Sequence, residues 1–373
     1  MATELDVLQV ITTTARRGAE RFATALEPEL VRRGLRVRTV ALVAASGPGP
    51  VLDVGVLGDN RLGRATLARL RALARRSAIV VAHGSSTLPA SALATAGTGT
   101  PFVYRSIGDP QFWNAGLRRR GTTRLLLRRA AAVVALSPST TEALMQVHGL
   151  PGSSIWTIPR GVPAQEFSRR RADEAGAARA ELGLGVDGRL AAFVGALSPE
   201  KDVLCAIRAV AELPRRWRLV VAGDGPDRTV AEAEAERLAP GRVRFLGAVD
   251  RPADVLAACD ALVVSSRTEG LPGVVIEAGM VGRPTVSTEV GFVNEIVTDG
   301  VTGRLVPPGD ATALADALLA IEPRLVEMGE AAHQATITRF SLDVAADRWS
   351  ELLRTVAGGR IQTPRPSGGV RTW

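Results

Sequence analysis

Two carboxylates eight positions apart, Glu269 and Glu277, bracket the turn Gly270-Leu271-Pro272 and the apolar start of a helix. Pro272 suits a first helical turn, where its missing N–H costs nothing. Gly270 permits a tight bend before it. Glu269 then stands in the loop, and Glu277 lies about one and a half turns inside the helix. At about 1.5 Å of rise per residue the two are at most about 12 Å apart. That is the scale of a nucleoside ribose at one end and a sugar ring at the other, with a diphosphate between. Backbone N–H groups and the positive helix end would meet the diphosphate. A solvated acidic helix start is the plainer alternative.

Of 46 basic residues only one is lysine, Lys201. It follows the apolar run Leu190-Ala-Ala-Phe-Val-Gly195 and the turn Ala196-Leu-Ser-Pro-Glu200, at the start of a helix. A compact ammonium there can neutralise a phosphate as a point charge; an exposed helix-start lysine is the bland reading. His83 ends the apolar run Ile79–Ala82 and precedes Gly84, so it is expected to point into a cleft; a satisfied structural histidine is the plain alternative. Tyr104-Arg-Ser-Ile-Gly-Asp109 also follows a strand, which makes Arg105 and Asp109 candidate contacts for a second substrate.

These residues need strands to carry them to one edge. Apolar runs recur at Asp6–Ile11, Val37–Val43, Ile79–Ala82, Phe102–Tyr104, Ala132–Leu136 and Ile155–Ile158. Helical stretches with arginine on the polar face separate them, such as Ala19–Arg33 closed by Gly34. The pattern restarts at Leu190, with strands near Arg218–Ala222, Arg242–Leu246, Ala261–Val264 and Pro284–Ser287. Repeated βα units predict parallel sheets covered on both faces, and ligands at their carboxyl edges. The expected division is 1–165, 166–340, a helix over 341–357 and a disordered Gly/Pro/Arg tail over 358–373, with the polar, Ala-rich stretch Arg169–Gly188 carrying the chain across.

Composition narrows the function classes. A chain of 373 residues with 46% hydrophobic content can fill two cores. No apolar run is long enough to span a bilayer, and the amino terminus passes from acids straight into a strand, unlike a signal peptide. Cys205 and Cys259, in apolar helical contexts, are expected to be buried free thiols, in keeping with a cytoplasmic protein. The net charge of +8 is concentrated in arginines of the first half. It admits a nucleic-acid face, an anionic membrane face or plain solubility. No nucleic-acid motif accompanies it, so no nucleic-acid partner is expected. Leu117–Arg129, with its arginines and leucines, reads either as an amphipathic helix for peripheral contact with an anionic membrane or as a solvated helix packed by its leucines. No Gly-x-Gly-x-x-Gly follows the first strand, which argues against a nicotinamide oxidoreductase. No Asp-x-Asp pair and no His/Cys cluster with metal spacing appears, so no metal and no cofactor are expected.

The segment Val194–Lys201, the turn Gly223-Asp-Gly-Pro226, the run Val243-Arg-Phe-Leu-Gly247, the Glu269/Glu277 pair and Gly303-Arg-Leu-Val-Pro-Pro-Gly-Asp310 occur in this order. Together they resemble the donor half of a family 4 retaining glycosyltransferase of the GT-B fold, a group 1 glycosyl transferase. The resemblance covers most of the chain and is tightest from about 190 to 310. It implies two Rossmann-like βαβ domains facing a central cleft, the first holding the acceptor and the second a UDP- or GDP-sugar. It also implies that the last helix returns to the first domain.

By motif position the resemblance implies catalytic roles for His83, Lys201 and Glu269. Donor-binding roles fall on Gly18, Gly195, Lys201, Gly225, Arg244, Phe245, Gly270, Leu271, Pro272 and Glu277. Glu277 would take the ribose hydroxyls and Glu269 the sugar hydroxyls. Lys201 and the N–H groups near Gly270–Pro272 would stabilise the departing diphosphate, Val243–Gly247 would flank the base, and Gly18 in Arg16-Arg-Gly-Ala-Glu20 would bring backbone close to phosphate or acceptor. The implied reaction moves a hexosyl unit to a hydroxyl of a saccharide, lipid or small molecule, by front-face attack with retention. One departure matters: the family commonly has Gly-Arg before the lysine, and here it is Gly195-Ala196. Arg16 or Arg17 is a possible substitute. Without one, the resemblance leaves room for a weak or inactive nucleotide-sugar-binding protein.

Overall fold

A computed structural model describes residues 4–16, 18–46, 50–107, 117–167, 172–185 and 187–361. Two compact units divide the chain: Met1–Gly161 together with Leu342–Trp373, and Val162–Ser341.

The first unit holds seven parallel strands: β1 (Leu5–Thr13), β2 (Val37–Val43), β3 (Gly55–Val56), β4 (Ser77–His83), β5 (Phe102–Arg105), β6 (Ala132–Ala135) and β7 (Ile155–Thr157). Their order is β3-β2-β1-β4-β5-β6-β7. Helices α1 (Gly18–Arg32), α2 (Arg64–Arg75), α3 (Leu88–Thr95), α4 (Leu117–Arg128) and α5 (Pro138–His148) connect them. Alternate strand residues feed two cores. Leu8, Val10, Val80, Ala82 and Tyr104 enter one, and Val7, Ile79, Val81, Val103 and Val134 the other. Burial on both faces explains why these strands read as mainly apolar runs.

The second unit has six parallel strands: β8 (Arg189–Val194), β9 (Trp217–Ala222), β10 (Val243–Gly247), β11 (Ala261–Val264), β12 (Thr285–Thr288) and β13 (Gly303–Val306). They are ordered β10-β9-β8-β11-β12-β13. Its helices are α6 (Ala172–Glu181), α7 (Val203–Glu212), α8 (Arg228–Leu238), α9 (Pro252–Ala258), α10 (Gly273–Val281), α11 (Ala311–Ile321) and α12 (Leu325–Phe340). The Ala-rich stretch read as a bridge therefore contains a helix. Arg179 of α6 ties it down by donating to Ala258 O and Asp260 Oδ2, each at 2.8 Å. Strand order reverses between β1 and β4 in one sheet and between β8 and β11 in the other. Such switch points open a crevice at the carboxyl ends of the strands.

The last helix, α13 (Leu342–Ala357), belongs to the first unit and packs on α1. It fully buries Trp349, Leu352 and Leu353 in the core shared with Phe22, Val81 and Val103. Burying side chains of this size contributes about 1.5–3 kcal/mol each. Arg33 adds ion pairs to Asp343 at 2.7 Å and Asp347 at 2.8 Å. Among the described residues no helix is long and apolar enough to cross a membrane. Both cysteines are buried and unpaired.

Candidate active site

The carboxyl ends of β8 and β11 bring Lys201 and Glu269 together. Lys201 Nζ donates to Glu269 Oε1 at 2.6 Å, and Ser266 Oγ donates to the same oxygen at 2.7 Å. The glutamate side chain is 8% exposed and the lysine 32%. The ammonium therefore keeps a face toward solvent, while the carboxylate is held among protein groups.

The turns that carry this pair are stitched to each other. Ser265 Oγ donates to Lys201 O at 3.1 Å and to Asp202 O at 2.8 Å. Arg267 N donates to Glu200 O at 2.8 Å, and Arg267 Nε to Asp202 Oδ2 at 2.8 Å. Thr288 Oγ1, at the end of β12, donates to Ser266 O at 2.7 Å. Asp202 has left-handed backbone, φ 47 and ψ 53, and its side chain accepts from Cys205 N to cap α7. Aspartate is one of the few residues besides glycine that visits this region.

Glycines admit close backbone packing around the site. A Cβ on Gly225 would stand 2.3 Å from Leu197 O, and one on Gly223 1.8 Å from Gly195 O. The Gly223-Asp-Gly-Pro226 turn can thus lie directly against the turn that leads to Lys201. Gly291 does the same after β12: it has φ +57, and a Cβ there would stand 2.0 Å from Glu269 O. Phe292 N then donates to Gly270 O at 3.1 Å. Sequence reading missed Gly291, Ser266, Asp202 and Arg267. The one available signal was their place at the ends of predicted strands.

Pro272 caps α10 rather than lying in its first turn, and Glu277 is the fifth residue of the helix, 9% exposed. Leu271 is partly buried against the core that includes Val275 and Ile276. Ala196 is exposed and offers only a methyl group. Arg244 and Phe245 line a groove along α8 with Arg228, Glu232 and Glu236. Neither Lys201 nor either of the paired glutamates lines that groove.

In the first unit His83 and Arg105 are register partners at the ends of β4 and β5. The expectation that His83 points into an open cleft is not met: it is 2% exposed. Its ring lies 6.2 Å from that of Phe22 and 6.1 Å from that of Trp349, centre to centre. Those residues come from α1 and α13, the helices covering its face of the sheet. Gln9 Nε2 donates to Ala23 O and Thr39 Oγ1, so Gln9 Oε1 accepts from His83 Nε2 at 3.0 Å. This assigns the proton to Nε2 and leaves Nδ1 as a buried acceptor without a partner. Burial, and next the charge of Arg105, push the His83 pKa well below its ordinary value.

Arg105 is likewise 2% exposed, with its guanidinium 3.8 Å above the Phe22 ring and Nε and Nη1 unpartnered. Burial, with the nearby Arg160 charge, lowers its pKa to about 9. For His83 to act in catalysis or Arg105 to touch an acceptor, their covered faces would have to open. Gly18 is the exposed first residue of α1, and a Cβ there would stand 3.5 Å from Arg160 Nη1. Arg17 and Asp109 lie outside the described residues. No group of three metal-binding side chains is present among the described residues.

Comparison with known proteins converges on one family. Residues 16–166 match the model of Glycosyltransferase Family 4, and residues 188–322 that of Glycosyl transferases group 1. A D-inositol 3-phosphate glycosyltransferase of Xylanimonas cellulosilytica is 31% identical over 91% of this chain and 88% of its own length. An alpha-D-kanosaminyltransferase of Streptomyces kanamyceticus is 32% identical over 62% of each chain. In fold, the chain resembles HepE from Anabaena in complex with UDP-glucose, with a TM-score of 0.79, 23% identity, and coverage of 94% of this chain and 100% of that one. It also resembles sucrose-phosphate synthase from Thermosynechococcus elongatus, with a TM-score of 0.78, 19% identity, and coverage of 95% and 99%. Two parallel-sheet units, an ordered set of motifs and these matches agree: the chain belongs to the family 4 glycosyltransferases and has the GT-B fold.

Proposed function

We propose that this glycosyltransferase moves a hexosyl unit from a nucleoside-diphosphate sugar to a hydroxyl acceptor, with retention of anomeric configuration and without a metal. The observation that carries the reading is the Lys201–Glu269 contact at 2.6 Å, at the switch point of the second sheet. It sets a half-exposed ammonium beside a carboxylate: one can meet a phosphate, the other can accept from a sugar hydroxyl. The UDP-glucose bound by HepE supports a UDP-sugar as donor, and a GDP-sugar is the alternative. D-inositol 3-phosphate in a relative's name supports a small polyol acceptor.

In this reading Glu277 holds the ribose from inside α10, and backbone N–H groups on either side of Pro272, which has none of its own, meet the diphosphate. Lys201 stabilises the charge that grows as the C1–O bond breaks, and the departing phosphate oxygen takes the acceptor's proton. The second unit holds the donor and the first the acceptor. Preorganised charge of this kind is worth about 10²–10³ in rate per donor group.

Incubation with UDP- and GDP-hexoses and a panel of polyol and saccharide acceptors tests the proposal. Transfer is expected with one nucleotide, with the product retaining the donor's anomeric configuration by NMR and undiminished rate in EDTA. Inverted product or metal dependence would overturn the corresponding part. A cytoplasmic location and peripheral contact through Leu117–Arg129 complete the proposal. Arg120, Arg124, Leu125, Arg128 and Arg129 are exposed there and favour anionic lipid. Failure to sediment with anionic vesicles at low salt would remove the membrane contact.

A further inference from the structure

We infer that Arg267 is a second cationic contact for the donor's diphosphate, taking the place of the arginine that position 196 lacks. This rests on the donor reading above. Arg267 is bound to both neighbours of Lys201: its backbone N–H to Glu200 O, and its Nε to Asp202 Oδ2, each at 2.8 Å. The guanidinium is therefore fastened to the residue that follows the one lysine, and the arginine's backbone to the residue that precedes it.

The manner of attachment separates this arginine from a simple strap. Its carboxylate partner is 7% exposed, whereas the arginine side chain is 66% exposed. Asp202 is gripped through Nε alone, and the two terminal nitrogens make no further hydrogen bond among the described residues. Four of the five guanidinium N–H groups thus remain available, in the planar fork that suits two phosphate oxygens at once. Asp202 also caps α7, so its charge is shared between Arg267 and the helix N–H.

The neighbours point the same way. Ala196 is exposed and carries no charge. Lys201 is already engaged by Glu269, so a single ammonium would have to serve both the carboxylate and a diphosphate of higher charge. As the C1–O bond to the β-phosphate breaks, its electron pair passes to the phosphate oxygen while the acceptor oxygen bonds to C1. Arg267 donates hydrogen bonds to the non-bridging oxygens through this step and neither gains nor loses a proton.

The test measures UDP and UMP binding by calorimetry and turnover with a UDP-sugar for wild type, Arg267→Gln, Arg267→Lys, Asp202→Asn and Lys201→Ala. Asp202→Asn releases the strap yet keeps the guanidinium and a residue tolerant of left-handed backbone. Arg267→Gln is expected to lower kcat by about 10²-fold and to shrink the preference for UDP over UMP. Arg267→Lys should recover part of the rate, and Asp202→Asn should cost far less than Arg267→Gln. Equal losses in Asp202→Asn and Arg267→Gln with UDP affinity unchanged would overturn the inference, as would wild-type behaviour of Arg267→Gln. A wild-type protein that binds neither UDP nor GDP would instead overturn the donor reading beneath it.

Discussion

The two sheets reverse strand order in the same way, between β1 and β4 and between β8 and β11, yet the strand ends at β8/β11 and those at β4/β5, beside the first switch point, are built to opposite rules. At β8/β11 the polar groups answer one another: Lys201 with Glu269, Ser266 with Glu269, Ser265 with two carbonyls, Arg267 with Asp202. At β4/β5 buried polar atoms go unanswered: His83 Nδ1, Arg105 Nε and Nη1, and Trp349 Nε1 in the packing beside them. Each such group costs about 1–3 kcal/mol of desolvation. A strand end at a carboxyl edge therefore does not by itself make a poised site. What distinguishes the second unit is that its charges are closed into a network that still leaves the ammonium reachable.

The largest effect that would break this contrast is loss of the ammonium. Lys201→Ala is expected to lower turnover by about 10²–10³-fold, while Glu277→Ala raises the donor dissociation constant by about tenfold or more, since a hydrogen bond to a charged group is worth about 1.5–3 kcal/mol. Unchanged steady-state kinetics in both variants would remove the site assignment.

Stability gives the next contrast. Arg105→Met replaces a desolvated cation by an apolar chain of similar length, and exchanges of this kind are neutral to stabilising. Its melting temperature is expected to hold or rise by a few degrees, at about 2–4 °C per kcal/mol. Asp202→Ala removes a helix cap and forces alanine into left-handed backbone, so a loss of about 1–2 kcal/mol is expected in chemical denaturation. A fall in stability for Arg105→Met would mean that its N–H groups are answered after all.

The smallest effect is in pH dependence. The folded pKa of His83 is depressed, so the unfolded chain takes up a proton that the native state refuses. Stability is held above about pH 6.5 and declines as pH falls below it. His148, also depressed by burial and by Arg120 and Arg124, contributes with the same sign. His83→Asn should therefore reduce, without abolishing, the drop in melting temperature between pH 7 and pH 5. An unaltered drop would place the histidine proton elsewhere.

Much of the scaffold was legible because doubly covered parallel strands are predominantly apolar. Val37–Val43 and Ala261–Val264 stand where the apolar runs end. The edge strands β3, only Gly55–Val56, and β13, which carries Gly303 and Arg304, lack that signature. Lys201 and Glu269 were legible as a pair because each follows a strand, and adjacent strands deliver their ends to one place. The Asp202–Arg267 bond was not, since it joins two turns far apart in sequence and nothing local requires it. His83 misled for the opposite reason. Its strand end was correctly read, but the helix that covers its face begins at Leu342, and no local pattern reveals which residues will roof a strand.

That roof has a consequence for how the protein is made. The second unit is one continuous stretch, Val162–Ser341, whereas the first needs Trp349, Leu352 and Leu353 to complete its core. During synthesis, the half translated first must wait with part of its apolar surface uncovered until the final helix has left the ribosome. The half translated later can close on its own. A nascent chain halted before Leu342 would thus leave apolar surface of its amino-terminal sheet uncovered, the kind of surface that chaperones bind.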